Sequence, residues 1–270
     1  MSTIDLAALA AGAGLLPAAI RLERLDAPGS WAFDDGRYIY PASLIKVPLA
    51  VAAAAAIDAG RLAWTTRVRI DERNATANDA PSPIVPGCLA TVEELVTFML
   101  QRSDNVATNQ LYDLLGRERA GADLAALGFG DVAFRRKLSG ADPLIDDPEA
   151  TGRNAFPAAD AVRLFRAIAD DRVPGAATLR TILATSWWDV KLSRGLEAGD
   201  AFAHKTGDTS GVSHDAGLLT LAGGSRWAIA VYTELPSTEE TELRFGAFMR
   251  ALRPHLTEER SGARTANPRP

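Results

Sequence analysis

Three short motifs follow one another along this chain of 270 residues, and their residue types suit a serine nucleophile with its proton carriers. They are Ser43-Leu-Ile-Lys46, Ser103-Asp-Asn105 and Lys205-Thr-Gly207. A serine hydroxyl is a weak nucleophile at neutral pH and needs a base beside it. Ser43 and Lys46 stand three residues apart at a predicted helix start, so they share a helix face. Lys46 is the candidate base, since burial or the charge of Lys205 would lower its pKa.

The second and third motifs supply the remaining groups. Ser103 is a candidate proton relay to the leaving group, and Asn105 is a candidate for holding a substrate amide. Thr206 beside Lys205 is a candidate for binding a substrate carboxylate, and Gly207 allows a ligand to approach the backbone closely. The predicted catalytic residues are Ser43, Lys46, Ser103 and Lys205.

Acyl transfer also needs donors for the oxyanion that forms on the attacked carbonyl. The first backbone N–H groups of a helix have no intrahelical acceptor, so the N–H of Ser43 is one candidate. The N–H of Asp208, which follows the third motif at the end of a predicted strand, is the second. The expected partner is a small molecule that carries a carboxylate and an amide, ester or lactam carbonyl.

The composition argues against several other classes of protein. A net charge of −5 disfavours a nucleic-acid partner, because phosphate binding needs clustered Lys and Arg. No apolar run reaches the roughly 20 residues that span a bilayer, so no membrane partner is expected. The three histidines have no partners at metal-ligand spacing, and neither a metal nor another cofactor is predicted.

The N-terminal apolar run has no Lys or Arg before it, whereas a signal peptide has a basic start. This predicts a cytoplasmic protein, and a periplasmic or secreted one stays open if a leader has been removed. A monomer or weak dimer is expected.

The order of predicted elements indicates the α+β class. Strands at about 18–25, 30–40, 200–206, 214–222 and 226–233 would join in one antiparallel sheet with flanking helices. The helices between them would form an inserted all-helical lobe. A single catalytic domain is expected at 1–253, with an α/β lobe at about 1–42 and 197–253, a helical lobe at about 43–196 and a disordered tail at 254–270. The cleft between the lobes is the expected active site.

The order of the three motifs and their predicted contexts resemble those of the class A β-lactamases and the penicillin-binding proteins. The flanking residues resemble them too, namely Tyr40-Pro-Ala before Ser43, Val106-Ala-Thr-Asn109 after Asn105 and Ala203-His204 before Lys205. The resemblance covers about residues 3–253. It implies a β-lactamase/transpeptidase-like fold in which an acyl-enzyme forms on Ser43.

One element of the class A pattern does not match. Those enzymes carry a Glu, with an Asn four residues later, that positions the water which frees the acyl-enzyme. In the corresponding region, 134–157, Glu149 has no Asn at that offset, and the other carboxylates are Asp142, Asp146 and Asp147. The chain therefore resembles the wider group of β-lactamase-like serine hydrolases that lack this Glu. Glu149, Asp146 and Asp147 are either candidates for activating the water or solvated loop charges.

Two basic residues are candidates for a substrate carboxylate. Arg194 precedes the third motif, and His214 follows it on the next predicted strand. His214 either helps to hold the carboxylate or pairs with Asp215 as part of the structure.

Three hypotheses about function stay open on the sequence alone. The leading one is a serine hydrolase that forms an acyl-enzyme on Ser43 with an amide, ester or β-lactam carbonyl, without necessarily being an efficient β-lactamase. The second is a true class A β-lactamase that hydrolyses β-lactams. The third is a non-catalytic protein that binds a ligand on the same fold.

Overall fold

One antiparallel sheet lies at the centre of the structure, a computed structural model that describes residues 4–140 and 143–257. Its strands are β1 (Ala18–Arg24), β2 (Ser30–Phe33), β5 (Ala201–Asp208), β6 (Ser213–Thr220) and β7 (Arg226–Thr233). They stand in the order β2-β1-β7-β6-β5. The predicted α+β fold, with a sheet built from N- and C-terminal strands, is confirmed.

The described residues also form a series of α-helices along the chain. They are α1 (Leu6–Gly12), α2 (Lys46–Asp58), α3 (Val92–Gln101), α4 (Asn105–Leu115), α5 (Arg117–Ala126), α6 (Ala158–Ala169), α7 (Ala176–Leu183) and α8 (Glu239–Thr257). Helices α2 to α7 lie between β2 and β5 in sequence, which is where the sequence predicted a helical lobe.

Side chains of the strands alternate between the two faces of the sheet. On β7, Trp227, Ile229 and Val231 pack into one core with residues of α1 and α8. Ala228 and Ala230 point to the other face and belong to a second core shared with the helical lobe. Their small side chains let α6 lie close to the sheet, and the two cores hold the sheet between helical layers.

The helical lobe is built around α2, of whose 13 residues ten are buried. Its alanine run leaves room for α3, α4 and α5 to pack closely against it. The lobe also contains a two-stranded antiparallel sheet, β3 (Arg67–Arg69) with β4 (Leu89–Thr91), which the sequence analysis did not predict. Strands of three residues are too short to show a period of two.

Two predicted boundaries are wrong. The strand predicted at 30–40 ends at Phe33, and Tyr38 instead donates from its hydroxyl to the backbone oxygen of Asn154 at 3.0 Å. Helix α8 continues through Pro254 to Thr257, where the sequence predicted a disordered tail. Leu256 is buried in the core at this point, and this burial explains why the helix continues. Residues 258–270 lie outside the described residues.

The lengths of the apolar runs in the sequence predicted that the chain has no membrane partner. Within the described residues, no helix is both long enough and apolar enough to cross a bilayer.

Candidate active site

A cavity of about 570 Å³ opens where the edge strand β5 meets the helical lobe. Its wall includes residues from all three motifs and the residue after the third: Ser43, Ser103, Asn105, Thr206 and Asp208. The fold therefore brings the three motifs to one cleft.

Ser43 lies in a 3₁₀ turn, Ala42–Ile45, that leads directly into α2. The preceding Ala42 has a φ of 47°, in the left-handed region that residues with a Cβ rarely adopt. Within the described part of the chain, the backbone N–H of Ser43 has no hydrogen-bond acceptor. That N–H is thus unpaired at the edge of the cavity and available to an oxyanion.

Gly207 has a packing role that the sequence analysis did not predict. A Cβ at this position would lie 2.8 Å from the carbonyl oxygen of Pro41 and 3.3 Å from the side chain of Leu44. Gly207 itself does not line the cavity. Its missing side chain therefore lets β5 pack against the turn that carries Ser43.

Lys46 is fully buried, and its amino group contacts the second motif. Its Nζ lies 3.1 Å from Ser103 Oγ, 2.6 Å from Ser103 O and 2.8 Å from Asn105 Oδ1. Burial, followed by the positive charge of Lys205, holds the pKa of Lys46 well below its usual range. The lowered pKa makes Lys46 a better proton acceptor than an ordinary lysine, and its amino group is in direct contact with a second proton carrier, Ser103.

The second motif is held by short hydrogen bonds on both sides. Ser103 has a φ of 61°, and Asp104 caps α4 by accepting a backbone N–H of its first turn. The backbone N–H of Asn105 donates to Asn78 Oδ1 at 2.6 Å, and its Nδ2 donates to Ala77 O at 3.0 Å. These bonds fix the orientation of the Asn105 side chain at the cavity wall.

Lys205 is also fully buried, and its Nζ donates to Thr206 O at 2.9 Å. Burial lowers the pKa of Lys205 to about 8, with Asp208 opposing the shift and Lys191 adding to it. Lys191 is a third buried lysine of the site, and its Nζ lies 2.6 Å from Asp208 Oδ1 and 2.9 Å from His214 O. It fixes the side chain of the residue whose N–H is the second candidate oxyanion donor. No motif marked Lys191 in the sequence.

His214 is not placed to hold a substrate carboxylate. Its Nδ1 accepts the N–H of Thr233 at 3.1 Å, so the proton is on Nε2, which lies 2.8 Å from Tyr40 O. Burial lowers the pKa of His214 to about 4, and the ring is therefore neutral. Asp215, its predicted structural partner, pairs with His204 instead, at 2.7 Å.

Arg194 does not line the cavity either. Its Nε donates to Val190 O at 2.7 Å, and its guanidinium pairs with Glu242 at 3.1 Å. Glu242 is the member of this pair that lines the cavity. The structure thus directs the charge of Arg194 to a carboxylate of the protein and away from a substrate.

The three carboxylates suggested for deacylation do not line the cavity. Asp147 pairs with Arg117 at 2.5 Å, so it has a structural role. The side chain of Glu149 is 81% exposed, and Asp146 is exposed as well. Asp142 lies outside the described residues. The interpretation of the three as structural or solvated charges fits this geometry better than a role beside Ser43.

The region 134–157, which carries these carboxylates, forms a loop that lines part of the cavity. Its lining residues include Leu138, Ser139 and Gly140. Asn109 fixes its backbone, donating from Nδ2 to Leu138 O at 2.8 Å and accepting the Leu138 N–H on Oδ1 at 2.8 Å. Within the described residues, this loop therefore contributes no ionisable side chain to the cavity that Ser43 lines. The sequence analysis missed Leu138 because an apolar residue carries no chemical signal.

Carboxylates from other segments do line the cavity, namely Asp79, Asp208 and Glu242. The last two are held by the ion pairs described above. Asp79 is exposed, and its negative charge opposes the lowering of the pKa of both Lys46 and Lys205. The sequence analysis did not single out Asp79, which lies between the first and second motifs.

The fold and this cleft define a class of protein. A serine with an unpaired N–H, a buried lysine of lowered pKa and a second serine in contact with that lysine are the parts of a serine hydrolase that works through an acyl-enzyme. The model of the β-lactamase enzyme family matches residues 5–252, and the chain belongs to that family. It is a serine hydrolase of the β-lactamase and penicillin-binding-protein type.

Solved structures agree with this assignment. The chain is similar to a β-lactamase from Sphaerobacter thermophilus, with 26% identity and a TM-score of 0.80 over 93% of this chain and 96% of that one. It is similar to PBP-A, with 23% identity and a TM-score of 0.80 over 93% and 94%. A PBP-A mutant in an acyl-enzyme complex with penicillin G shows 23% identity and a TM-score of 0.78 over 93% and 95%. No curated protein matches the sequence.

Proposed function

We propose that Ser43 is acylated by an amide, ester or β-lactam carbonyl, and that the acyl group is released slowly when it comes from a β-lactam. One observation carries this proposal, namely the apolar Leu138 in the wall of the cavity that Ser43 shares. Acylation needs a nucleophile, a base and oxyanion donors, whereas release needs a water activated by a base as well.

In the acylation step, Lys46 in its neutral form takes the proton of Ser43 as Oγ attacks the carbonyl carbon. The proton then passes through Ser103 to the leaving nitrogen or oxygen, and the distance of 3.1 Å from Lys46 Nζ to Ser103 Oγ supports this route. The N–H groups of Ser43 and Asp208 stabilise the oxyanion.

The substrate is a small molecule with a carboxylate near the reacting carbonyl. Thr206 lines the cavity, and the buried Lys205 before it donates to its carbonyl oxygen at 2.9 Å, so these two residues would hold the carboxylate. The fixed side chain of Asn105 would hold a substrate amide. With a natural ester or amide, Lys46 would serve both acylation and release.

Intact-protein mass spectrometry after mixing with benzylpenicillin tests this function. Opening a β-lactam leaves every atom attached to the enzyme, so acylation adds the full mass of the penicillin. We expect stoichiometric labelling that persists for much longer than it takes to form, and no labelling of Ser43→Ala. Labelling of neither protein, or equal labelling of both, contradicts the assignment of Ser43.

A true β-lactamase is the second candidate, and the position of Asp79 favours it. This carboxylate lines the same cavity as Ser43 and is free of the ion pairs that hold Asp208 and Glu242. In this case the protein turns over nitrocefin steadily, and Asp79→Asn reduces the rate of release by about 100-fold or more. Asp131→Asn, at an exposed site outside the cavity, is the matched control. Steady turnover that Asp79→Asn leaves unchanged excludes Asp79 as the base.

A further inference from the structure

A second cavity, of about 750 Å³, adjoins the catalytic one. The two share five residues of their walls: Tyr40, Ser139, Leu144, Thr209 and Ser210. We call this second cavity the annex. Because the walls are shared, a substrate attached to Ser43 has room to extend into it.

Two guanidinium groups line the annex without an acidic partner. Within the described residues, the side chains of Arg136 and Arg153 form neither an ion pair nor a hydrogen bond. The other charged residues of the annex wall are already paired. Lys137 lies 2.9 Å from Asp113, and Glu234 lies 2.5 Å from an arginine. Among the described residues, the annex therefore presents two positive charges that no acidic side chain pairs with.

Both arginines lie next to each other in the wall, on either side of Asn154. Asn154 fixes the backbone of Arg136, accepting its N–H at 3.1 Å and donating to its carbonyl oxygen at 3.0 Å. Arg153 precedes Asn154 directly, and its guanidinium lies 5.8 Å from the centre of the Tyr40 ring. Burial raises the pKa of Tyr40, and the positive charges of Arg136 and Arg153 both oppose that shift. The two charges thus act on one tyrosine, at the border of the two cavities.

We propose that the annex binds an anionic group of the substrate, a carboxylate distinct from the one that faces Lys205. A guanidinium recognises a carboxylate through paired, charge-assisted hydrogen bonds, and two guanidinium groups in one wall favour an anionic group over a neutral or cationic one. The favoured acyl donor therefore carries two negative charges, one on each side of the reacting carbonyl. This inference rests on the proposed function, because the donor must reach Ser43.

Three penicillins that differ only in the charge of the acyl side chain test the proposal. Benzylpenicillin has a neutral side chain, ampicillin adds an ammonium group at the α-carbon, and carbenicillin adds a carboxylate there. The second-order rate constant for acylation of Ser43 is measured for each by intact-protein mass spectrometry. We expect carbenicillin to react about tenfold faster than ampicillin, the size of one charged hydrogen bond.

Variants of the two arginines then locate the effect. In Arg136→Gln with Arg153→Gln, the ratio of the carbenicillin rate to the benzylpenicillin rate is expected to fall by about tenfold. Arg135→Gln is the matched control, since Arg135 is an exposed arginine of the same segment that does not line the annex. No preference for carbenicillin, or the same loss of ratio in all the variants, overturns the proposal.

A binding measurement separates failure of this inference from failure of the proposed function. Isothermal titration calorimetry of Ser43→Ala with the same three penicillins needs no acylation. Tighter binding of carbenicillin that depends on Arg136 and Arg153 supports the anionic subsite even if Ser43 is never acylated. Equal affinities for the three compounds overturn it.

Discussion

We expect the protein to lose about 3 kcal/mol of stability through one buried histidine when the pH rises from 6 to 9.5. His204 precedes Lys205 on β5, and its ring is fully buried between two carboxylates. Its Nδ1 lies 2.7 Å from Asp215 Oδ1, and its Nε2 lies 3.0 Å from Asp189 Oδ1. Burial alone would lower the pKa of His204, but the charge of Asp215 and the hydrogen bonds to both carboxylates raise it to about 9.

The magnitude follows from the gap between the folded and unfolded pKa values of His204. A rise from 6.5 to about 9 corresponds to about 3 kcal/mol, at about 1.4 kcal/mol per unit. Because the folded value is the higher one, the stabilisation is complete below pH 6.5 and is lost as the pH rises through 9. Asp189 is 68% exposed and screened by solvent, so the fully buried Asp215 provides most of the effect.

Urea unfolding of the wild type and of the double variant His204→Gln with Asp215→Asn measures this contribution. The variant keeps neutral polar groups at both positions and leaves no unpaired buried charge. Other titrating groups are present in both proteins and cancel in the difference, except Lys205, whose pKa Asp215 raises and whose change acts in the same direction. We expect the stability advantage of the wild type to shrink by about 3 kcal/mol between pH 6 and pH 9.5. Parallel stability curves would refute the assignment of a protonated His204.

Three further predictions concern the parts that position the site. Gly207→Ala is expected to destabilise the fold by about 1–3 kcal/mol and to slow acylation of the catalytic serine, because the added Cβ overlaps its turn. Gly211→Ala, whose Cβ would meet nothing within 4 Å, is the control, and equal effects of the two contradict this role. Above pH 8, Lys205 loses its charge, so penicillins with a free carboxylate are expected to bind more weakly in titration calorimetry, while their methyl esters do not change. Affinity for the free acids that stays constant from pH 7 to pH 9.5 contradicts this role for Lys205. Asn109→Leu removes both bonds to Leu138 and is expected to lower the free energy of unfolding by about 2 kcal/mol in urea, and a loss under about 0.5 kcal/mol contradicts it.

The sequence predicted the parts of the fold and site that depend on residue type and local order. The order of predicted strands and helices indicated the α+β class, and the side-chain chemistry of Ser43, Ser103 and Thr206 pointed to groups that line one cavity. A nucleophile and its proton carriers are recognisable from sequence because few residue types supply them.

The remaining features depend on which residues meet in space. His204, not His214, pairs with Asp215, since neighbouring strands decide that contact and sequence adjacency does not. The packing role of Gly207 can be inferred only when the turn that lies against it is known. Leu138 is missed because its effect lies in the absence of a charge at one point of the cavity wall.

On the proposed function, Ser43 is acylated and the acyl group stays because Leu138 cannot activate a water. Burst kinetics with nitrocefin test it most directly, comparing the wild type with Leu138→Glu and with Leu138→Gln as the neutral control of equal size. We predict one equivalent of product from the wild type and from Leu138→Gln, followed by a slow phase. Leu138→Glu is predicted to speed the slow phase by about 100-fold or more. Rapid steady turnover by the wild type, or a slow phase that Leu138→Glu leaves unchanged, would contradict the claim.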